Sequence, residues 1–337
     1  MRIQRAFLRL FQGRLGWVIR IGLTAGLLAF LLTRIDPNQL VQDIQQMSLA
    51  WFLVALTFQA TAIFCSILRW NVLLIGQGLR VPLSHLTGTF LVGRFFGTFL
   101  PSTLGLDAYR AYDIARHAHA TIDSVTVILV EKIIGFFALS LLIVVTVPAG
   151  LGILPLEALV PIFLIFCVPV TVAFVLLIQP GVIVWLLNRH FPGTSKIEGR
   201  LQQIARAVSA YQRQKRLLAV AVFLGLLVHL FTTLVYYFTA LAVNAPAQLA
   251  DILFAGPLMI AATVGLPTVG GEGARELTFV GLLGRIGVPE SQAFLLGHLG
   301  FWCGLSLSLP GGLIYALRPD TYRPAIRKDG GRMKDEG

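Results

Sequence analysis

Leu100-Pro101-Ser102-Thr103-Leu104-Gly105-Leu106-Asp107-Ala108-Tyr109-Arg110 and Leu266-Pro267-Thr268-Val269-Gly270-Gly271-Glu272-Gly273-Ala274-Arg275-Glu276 decide how this chain is read. Each closes a hydrophobic stretch, interrupts it with Pro and Gly, and places a carboxylate and a guanidinium where a helix would restart. Proline withholds a backbone donor and glycine tolerates the break, so neither stretch reads as one uninterrupted helix. In a membrane chain, paired interruptions at corresponding places of two halves point to a transport site.

Composition supplies the membrane. Hydrophobic residues make up 56% of the 337 residues and charged residues only 13%, with mean hydropathy +0.79, whereas soluble domains carry about a quarter charged residues. Few residues lie outside hydrophobic stretches and their connections. The expectation is therefore one transmembrane domain over 1–317 and a polar cytoplasmic tail over 318–337, with no separate soluble domain. The net charge of +11 sits in loops beside membrane segments, which favours anionic lipid headgroups over nucleic acid as the counter-charge. Cys65, Cys167 and Cys303 are far apart inside apolar stretches, without CxxC spacing, so neither a disulfide frame nor a metal site is expected. Arg2, Arg5, Arg9 and Arg14 precede an apolar run with no small-x-small cleavage site, and Arg34-Ile35-Asp36-Pro37 reads as a membrane exit. A retained first span is expected rather than a cleaved signal peptide.

A spanning helix needs about 20 mostly apolar residues. Six stretches qualify: 15–32, 49–68, 125–147, 156–178, 217–243 and 293–317. Two more, 86–106 and 252–266, are apolar but interrupted. If these two enter and leave by one face, then Arg69, Arg80, Arg110, Arg116 and the tail share a side with the loop bearing Arg189, Lys196, Arg200, Arg206, Arg213, Lys215 and Arg216. If they cross, that loop moves outside, against the positive-inside rule. The expected architecture is an all-α, polytopic membrane helix bundle of six crossings with two re-entrant or broken helices, both termini being cytoplasmic. Two Pro-kinked spans, giving eight crossings, are the alternative. With three crossings between the motifs the halves, about 84–147 and 250–317, become an inverted repeat. Between them, Ile197, Leu201, Ile204, Ala205, Val208 and Tyr211 recur at helical spacing, the pattern of an amphipathic helix on the membrane surface or of a connecting helix.

Charged side chains inside the spans are costly and mark function or internal pairing. Arg94 stands in the middle of 86–106. Asp107 and Arg110 open the helix after the first break, where Asp107 suits an N-cap. Gly93 and Gly97, like Gly300 and Gly304, have the spacing of close helix packing. Glu131 and Lys132 lie inside a span and, as sequence neighbours, point to different faces; each needs its own partner, and Arg94 or Arg110 is expected for Glu131. In the second motif Gly270, Gly271 and Gly273 offer backbone amides ahead of Arg275 and Glu276, an arrangement suited to an anion. His298 occupies the place in the second half that corresponds to Glu131. The chain has no GxSxG, HExxH or P-loop, and so no signature of bond-making chemistry.

At these residues the sequence resembles the transmembrane-region family of lysylphosphatidylglycerol synthases, which are flippase-like integral membrane proteins. The likeness rests on Arg94 with residues 100–110, on Glu131-Lys132, and on residues 267–276, which end in a Gly-Gly-x-Gly-x-x-Glu pattern. Gly97 and Thr98 stand where the family often has Asn, and Lys132 where it often has Arg. The resemblance implies translocation of a phospholipid or glycolipid between leaflets, without enzymatic activity or cofactor. The substrate-binding set is Arg94, Asp107, Arg110, Glu131, Lys132, Gly271, Gly273, Arg275 and Glu276. It also implies membrane lipids with an anionic or zwitterionic headgroup as partners, and a lipid-modifying enzyme as a possible protein partner. Synthase members carry a soluble aminoacyl-transferase domain after the membrane part; this chain ends about twenty residues past its last span and is expected to be a stand-alone member. An ion-coupled permease for a small anion and a non-transporting scaffold are the other readings. A groove open to the bilayer near Arg94 would favour the lipid, a closed central cavity the permease.

Overall fold

A computed structural model describes residues 14–99, 104–179, 203, 207–266 and 268–317 of the chain. Helices supply all its regular structure among those residues. In chain order they are α1 (Arg14–Leu32), α2 (Pro37–Gln45), α3 (Leu49–Gly76), α4 (Leu83–Phe99), α5 (Leu104–Ala118), α6 (Thr121–Gly150), α7 (Leu156–Ile178, with a π turn at Phe163–Cys167), α8 (Lys215–Ala242), α9 (Leu249–Gly265), α10 (Ala274–Leu283), α11 (Glu290–Ser306) and α12 (Leu309–Leu317). Five helices are long and apolar enough to cross a bilayer: α3, α6, α7, α8, and the run Glu290–Leu317 through α11 and α12. The protein is an integral membrane protein. The sixth expected span, 15–32, falls in α1, where the apolar helix counted among the described residues is the shorter Arg20–Leu32. The hydrophilic linker after it holds a helix that hydropathy passes over. Asp36 caps α2 by accepting from the Asn38 N–H at 2.9 Å, and Pro37 occupies its first turn, where no backbone donor is needed.

The central pair is α3 with α8. They run antiparallel over their whole length. The Ser48 N–H donates to the Ala242 carbonyl at 2.8 Å at one end, and Gly76 lies against Leu217 and Tyr211 at the other. Between these ends Trp51 stacks on Phe238 with ring centroids 5.8 Å apart, and Phe58 meets Phe231 at 5.9 Å. Both helices have 28 residues, and each is followed by a connection, 77–82 and 243–248, and then by a 17-residue helix, α4 and α9. A break and a second arm follow in both halves, and after it a long apolar helix.

The interrupted stretches fold as helical hairpins whose arms pack on each other. In the first, Leu106 of α5 rests on Gly93 and Gly97 of α4; a Cβ at Gly93 would stand 2.8 Å from Leu106 Cδ1, so the glycine spacing serves the returning arm. In the second, Gly271 turns beside Thr263 of α9 with φ +80°, and Gly270 and Gly273 are also left-handed, conformations that favour glycine. Residues 100–103 and 267, including both prolines of the breaks, lie outside the described residues. So does most of the 197–211 stretch; its described residues Val208 and Tyr211 are buried, and the Tyr211 hydroxyl donates to the Leu73 carbonyl at 2.7 Å.

The halves dock reciprocally. The first arm of hairpin one, α4, packs on α12, where Gly311 lies under the Leu91 carbonyl. The first arm of hairpin two, α9, packs on α6, where Gly150 receives the Phe254 ring. The largest apolar core joins Ile67, Trp70 and Leu73 of α3 to Phe90 of α4, Ile134 of α6 and Leu218 of α8.

Candidate functional site

Glu131 sits about 15 Å along α6 from its start. Its side chain is 5% exposed and is the meeting point of three helices. Arg110 of α5 donates to both its oxygens, and Arg69 of α3 donates to Oε1 at 3.1 Å. The Arg110 guanidinium also lies over the Trp70 ring at 4.6 Å and the Phe90 ring at 5.2 Å, so its charge is met by a carboxylate at one edge and by aromatic faces elsewhere. Room for Arg69 comes from Gly135 of α6 and Gly225 of α8, where a Cβ would stand 3.2 and 3.4 Å from its Nη1. Lys132, on the neighbouring face, pairs with Asp107 at 2.6 Å and is 37% exposed. Asp107 therefore lies in the first turn of α5 as an ion-pair partner and is not its N-cap, because the helix begins at Leu104. At the open end of this hairpin, Asp113 accepts from the Thr89 hydroxyl and contacts His85 Nε2 at 2.8 Å, joining the start of α4 to the end of α5.

The second cluster belongs to hairpin two. Arg275 Nη1 lies 2.9 Å from Glu272 Oε1 and 3.6 Å from Glu276 Oε1, and its Nη2 donates to the Gly270 carbonyl at 2.9 Å. Glu276 is fully buried and accepts from the Gly273 N–H through Oε2 at 2.6 Å. His298 of α11 places Nδ1 3.3 Å from Glu272 Oε2, and Tyr236 of α8 faces Arg275 and Glu276. The amides expected to seat an anion are in part already used: Gly273 N–H by Glu276, and Glu272 N–H by the Val269 carbonyl. The glycine break holds the protein's own carboxylate, since the helix start attracts the nearest anion. Ligand atoms of Glu272, Glu276 and His298 lie within 4.8 Å of one another, yet the Arg275 guanidinium already stands between the two carboxylates, where a metal ion would meet a positive charge.

Arg94 differs from all of these. Partly buried on α4, it approaches Gly304 of α11, where a Cβ would be 3.6 Å from its Nη2. Among the described residues it makes no ion pair, and its Nε is buried without a hydrogen-bond partner. Of the sequence-derived set, Arg110, Glu131, Asp107 and Lys132 gather at hairpin one; Gly271, Gly273, Arg275 and Glu276 gather at hairpin two; Arg94 stands at the contact of α4 with α11. Of the two partners expected for Glu131 the structure supplies Arg110, and Arg94 and Glu276 lie outside that cluster. Arg69 and Glu272 were not singled out. Both had a readable signal, a charge flanked by apolar or glycine residues. Two apolar clefts, one between α6 and α7 at Ser140, Cys167 and Thr171, the other at Val72, Ile75 and Leu217, include neither cluster nor Arg94.

A bundle with two helical hairpins, each with a cluster of buried charges beside it, defines the class as a polytopic α-helical membrane protein. Residues 17–310 match the family described as the lysylphosphatidylglycerol synthase TM region. The chain belongs to that family. A comparison with curated protein sequences finds no match.

Proposed function

We propose that the protein is a lipid translocase, moving a phospholipid or glycolipid with an anionic or zwitterionic headgroup between leaflets without modifying it. The observation that carries this reading is Arg94. Arg110 and Arg275, the buried guanidiniums of the two hairpin clusters, have carboxylates, whereas this one faces another helix and has none among the described residues. A charge at that depth is costly unless something polar meets it, and a headgroup phosphate is a fitting partner while its acyl tails stay in lipid.

The antiparallel α3 and α8, the matched element lengths and the reciprocal docking of α4 on α12 and α9 on α6 support an inverted repeat with re-entrant hairpins opening to opposite faces. In that reading both termini are cytoplasmic, and exposure alternates by rocking one repeat against the other. Purified protein in liposomes should speed the appearance of labelled phosphatidylglycerol in the opposite leaflet, and Arg94→Ala should slow it at least tenfold without lowering thermal stability, because no ion pair is lost. Absence of movement, also under imposed ion gradients, would overturn the transport reading in favour of a scaffold.

A further inference from the structure

The charges of the two hairpins do not balance alike. Around hairpin one, Arg69 and Arg110 meet Glu131, Lys132 meets Asp107 and His85 meets Asp113, so each of these carboxylates has at least one basic partner of its own. Around hairpin two, Arg275 alone faces Glu272 and Glu276. The only further ionisable partner in salt-bridge reach among the described residues is His298. With that imidazole neutral, a whole negative charge is left inside the bundle, where an uncompensated ion is strongly unfavourable.

The packed elements offer no other cure. Tyr236 of α8 and Cys303 of α11 carry no basic group. From α9, Asp251 is engaged with the Gln248 N–H at that helix's own start. From α2, Asp43 accepts from Ser291 at the far end of α11. Arg20 of α1 makes no ion pair with the cluster, and Arg69 of α3 is committed to Glu131. One proton restores neutrality, and the geometry has a place for it. His298 Nδ1 and Glu272 Oε2 are 3.3 Å apart, and Oε1 of the fully buried Glu276 has no hydrogen-bond partner.

We propose that Glu272, Glu276 and His298 form a proton-binding site that couples the second hairpin to a pH gradient across the membrane. The site stands on this geometry alone; its coupling role rests on the lipid-translocation reading. His298, with about a third of its side chain open (32%), is the entry, and the buried carboxylates are the store. A single proton is taken up on one side, held as N–H or O–H, and released on the other; no other bond changes. The store is wired to the hairpin break. Arg275 holds the Gly270 carbonyl and Glu276 holds the Gly273 N–H. A proton that neutralises Glu272 or Glu276 loosens the grip of Arg275, and with it the glycine turn that closes hairpin two.

Two measurements test this. Infrared difference spectra of the purified protein across neutral pH should show a carboxylic-acid carbonyl band that Glu276→Gln or Glu272→Gln removes or shifts; Gln at 276 keeps an acceptor for the Gly273 amide. In liposomes with a clamped membrane potential, an interior pH dye and labelled phosphatidylglycerol, a gradient of one pH unit should sustain up to about a tenfold bias of label toward one leaflet if one proton moves per lipid. The bias, read as a ratio with and without the gradient, should fall to one in Glu272→Gln and His298→Gln whatever their basal rate. Lipid that moves with no pH bias in the wild type, or that follows sodium instead, overturns the coupling while the transport reading stands. No lipid movement under any gradient defeats the transport reading and the coupling with it; the infrared band then decides the proton site by itself, and its absence overturns that too.

Discussion

The α4–α5 hairpin presents Arg110 at the place where the α9–α10 hairpin presents Glu276, each ten residues after the leucine that begins its Leu-Pro break. The backbone around the two is built alike. The preceding long helix contributes an aromatic ring to each, Trp70 beside Arg110 and Tyr236 beside Glu276, and the following long helix contributes Glu131 to Arg110 in one half and His298 to Glu272 in the other. Two similar hairpins thus bring side chains together at similar places, and the sign of the charge decides what the meeting does. Arginine against a carboxylate, closed over by Arg69 and two aromatic rings, makes an anchor. Two carboxylates against one arginine make a centre with an anion to spare.

The comparison can be broken outright by topology. Single cysteines at Thr121 and Gly287, in a variant lacking the native cysteines, should label from opposite faces of the membrane; labelling from the same face would remove the inverted relation and leave the likeness of the hairpins without a structural cause. The next largest effect is expected from the anchor. Glu131→Gln leaves two buried guanidiniums without their shared carboxylate and should cost about 3–5 kcal/mol, read as a large drop in the thermal stability of the detergent-solubilised protein. Glu276→Gln, at the charge-reversed counterpart of Arg110, relieves a surplus and keeps the Gly273 bond, so its cost should stay within about 1 kcal/mol. Equal losses would mean that the clusters are equivalent anchors.

Gly311→Ala tests the docking of the halves. Its Cβ would fall 2.1 Å from the Leu91 carbonyl oxygen, a backbone atom that gives way only if α4 and α12 separate, so a loss of about 1–3 kcal/mol is expected in the same assay. The smallest effect belongs to Lys132→Ala. That ammonium is more than a third exposed, and its pair with Asp107 should contribute no more than about 1 kcal/mol.

Much of this architecture was legible before any coordinates. Hydropathy marks α3, α6, α7, α8 and the final span because a bilayer demands long apolar runs, and the cost of burying Arg110 and Glu131 obliges them to find partners. The extent of α3 was not legible by the same rule. A span ending at residue 68 leaves Arg69 at the interface, whereas Trp70, Leu73 and Leu74 carry the buried face onward and the helix runs to Gly76. That extension turns Arg69 from a topology marker into a partner of Glu131. At hairpin two the Gly273 amide departs from expectation for a local reason. Glycines ahead of a helix suggest free amides, but Glu276 lies three residues beyond Gly273 and reaches back to it, as a capping carboxylate does. The pairing of α3 with α8 spans well over a hundred residues and leaves no local trace.

The reciprocal docking also sets an order of synthesis. Arg69, Arg110 and Glu131 all precede α7, so the anchor of the first half can close while the second half is still on the ribosome. The seat for α4 comes almost last: Gly311 follows Glu131 by 180 residues, roughly 10–40 s of translation at ordinary rates. Through that interval Glu131 and Asp107 can already be paired while the α4 face lacks its partner helix, and only the arrival of α12 completes the fold. Nascent chains halted between α6 and α12 would hold the Glu131 cluster and still lack the contact of α4 with α12.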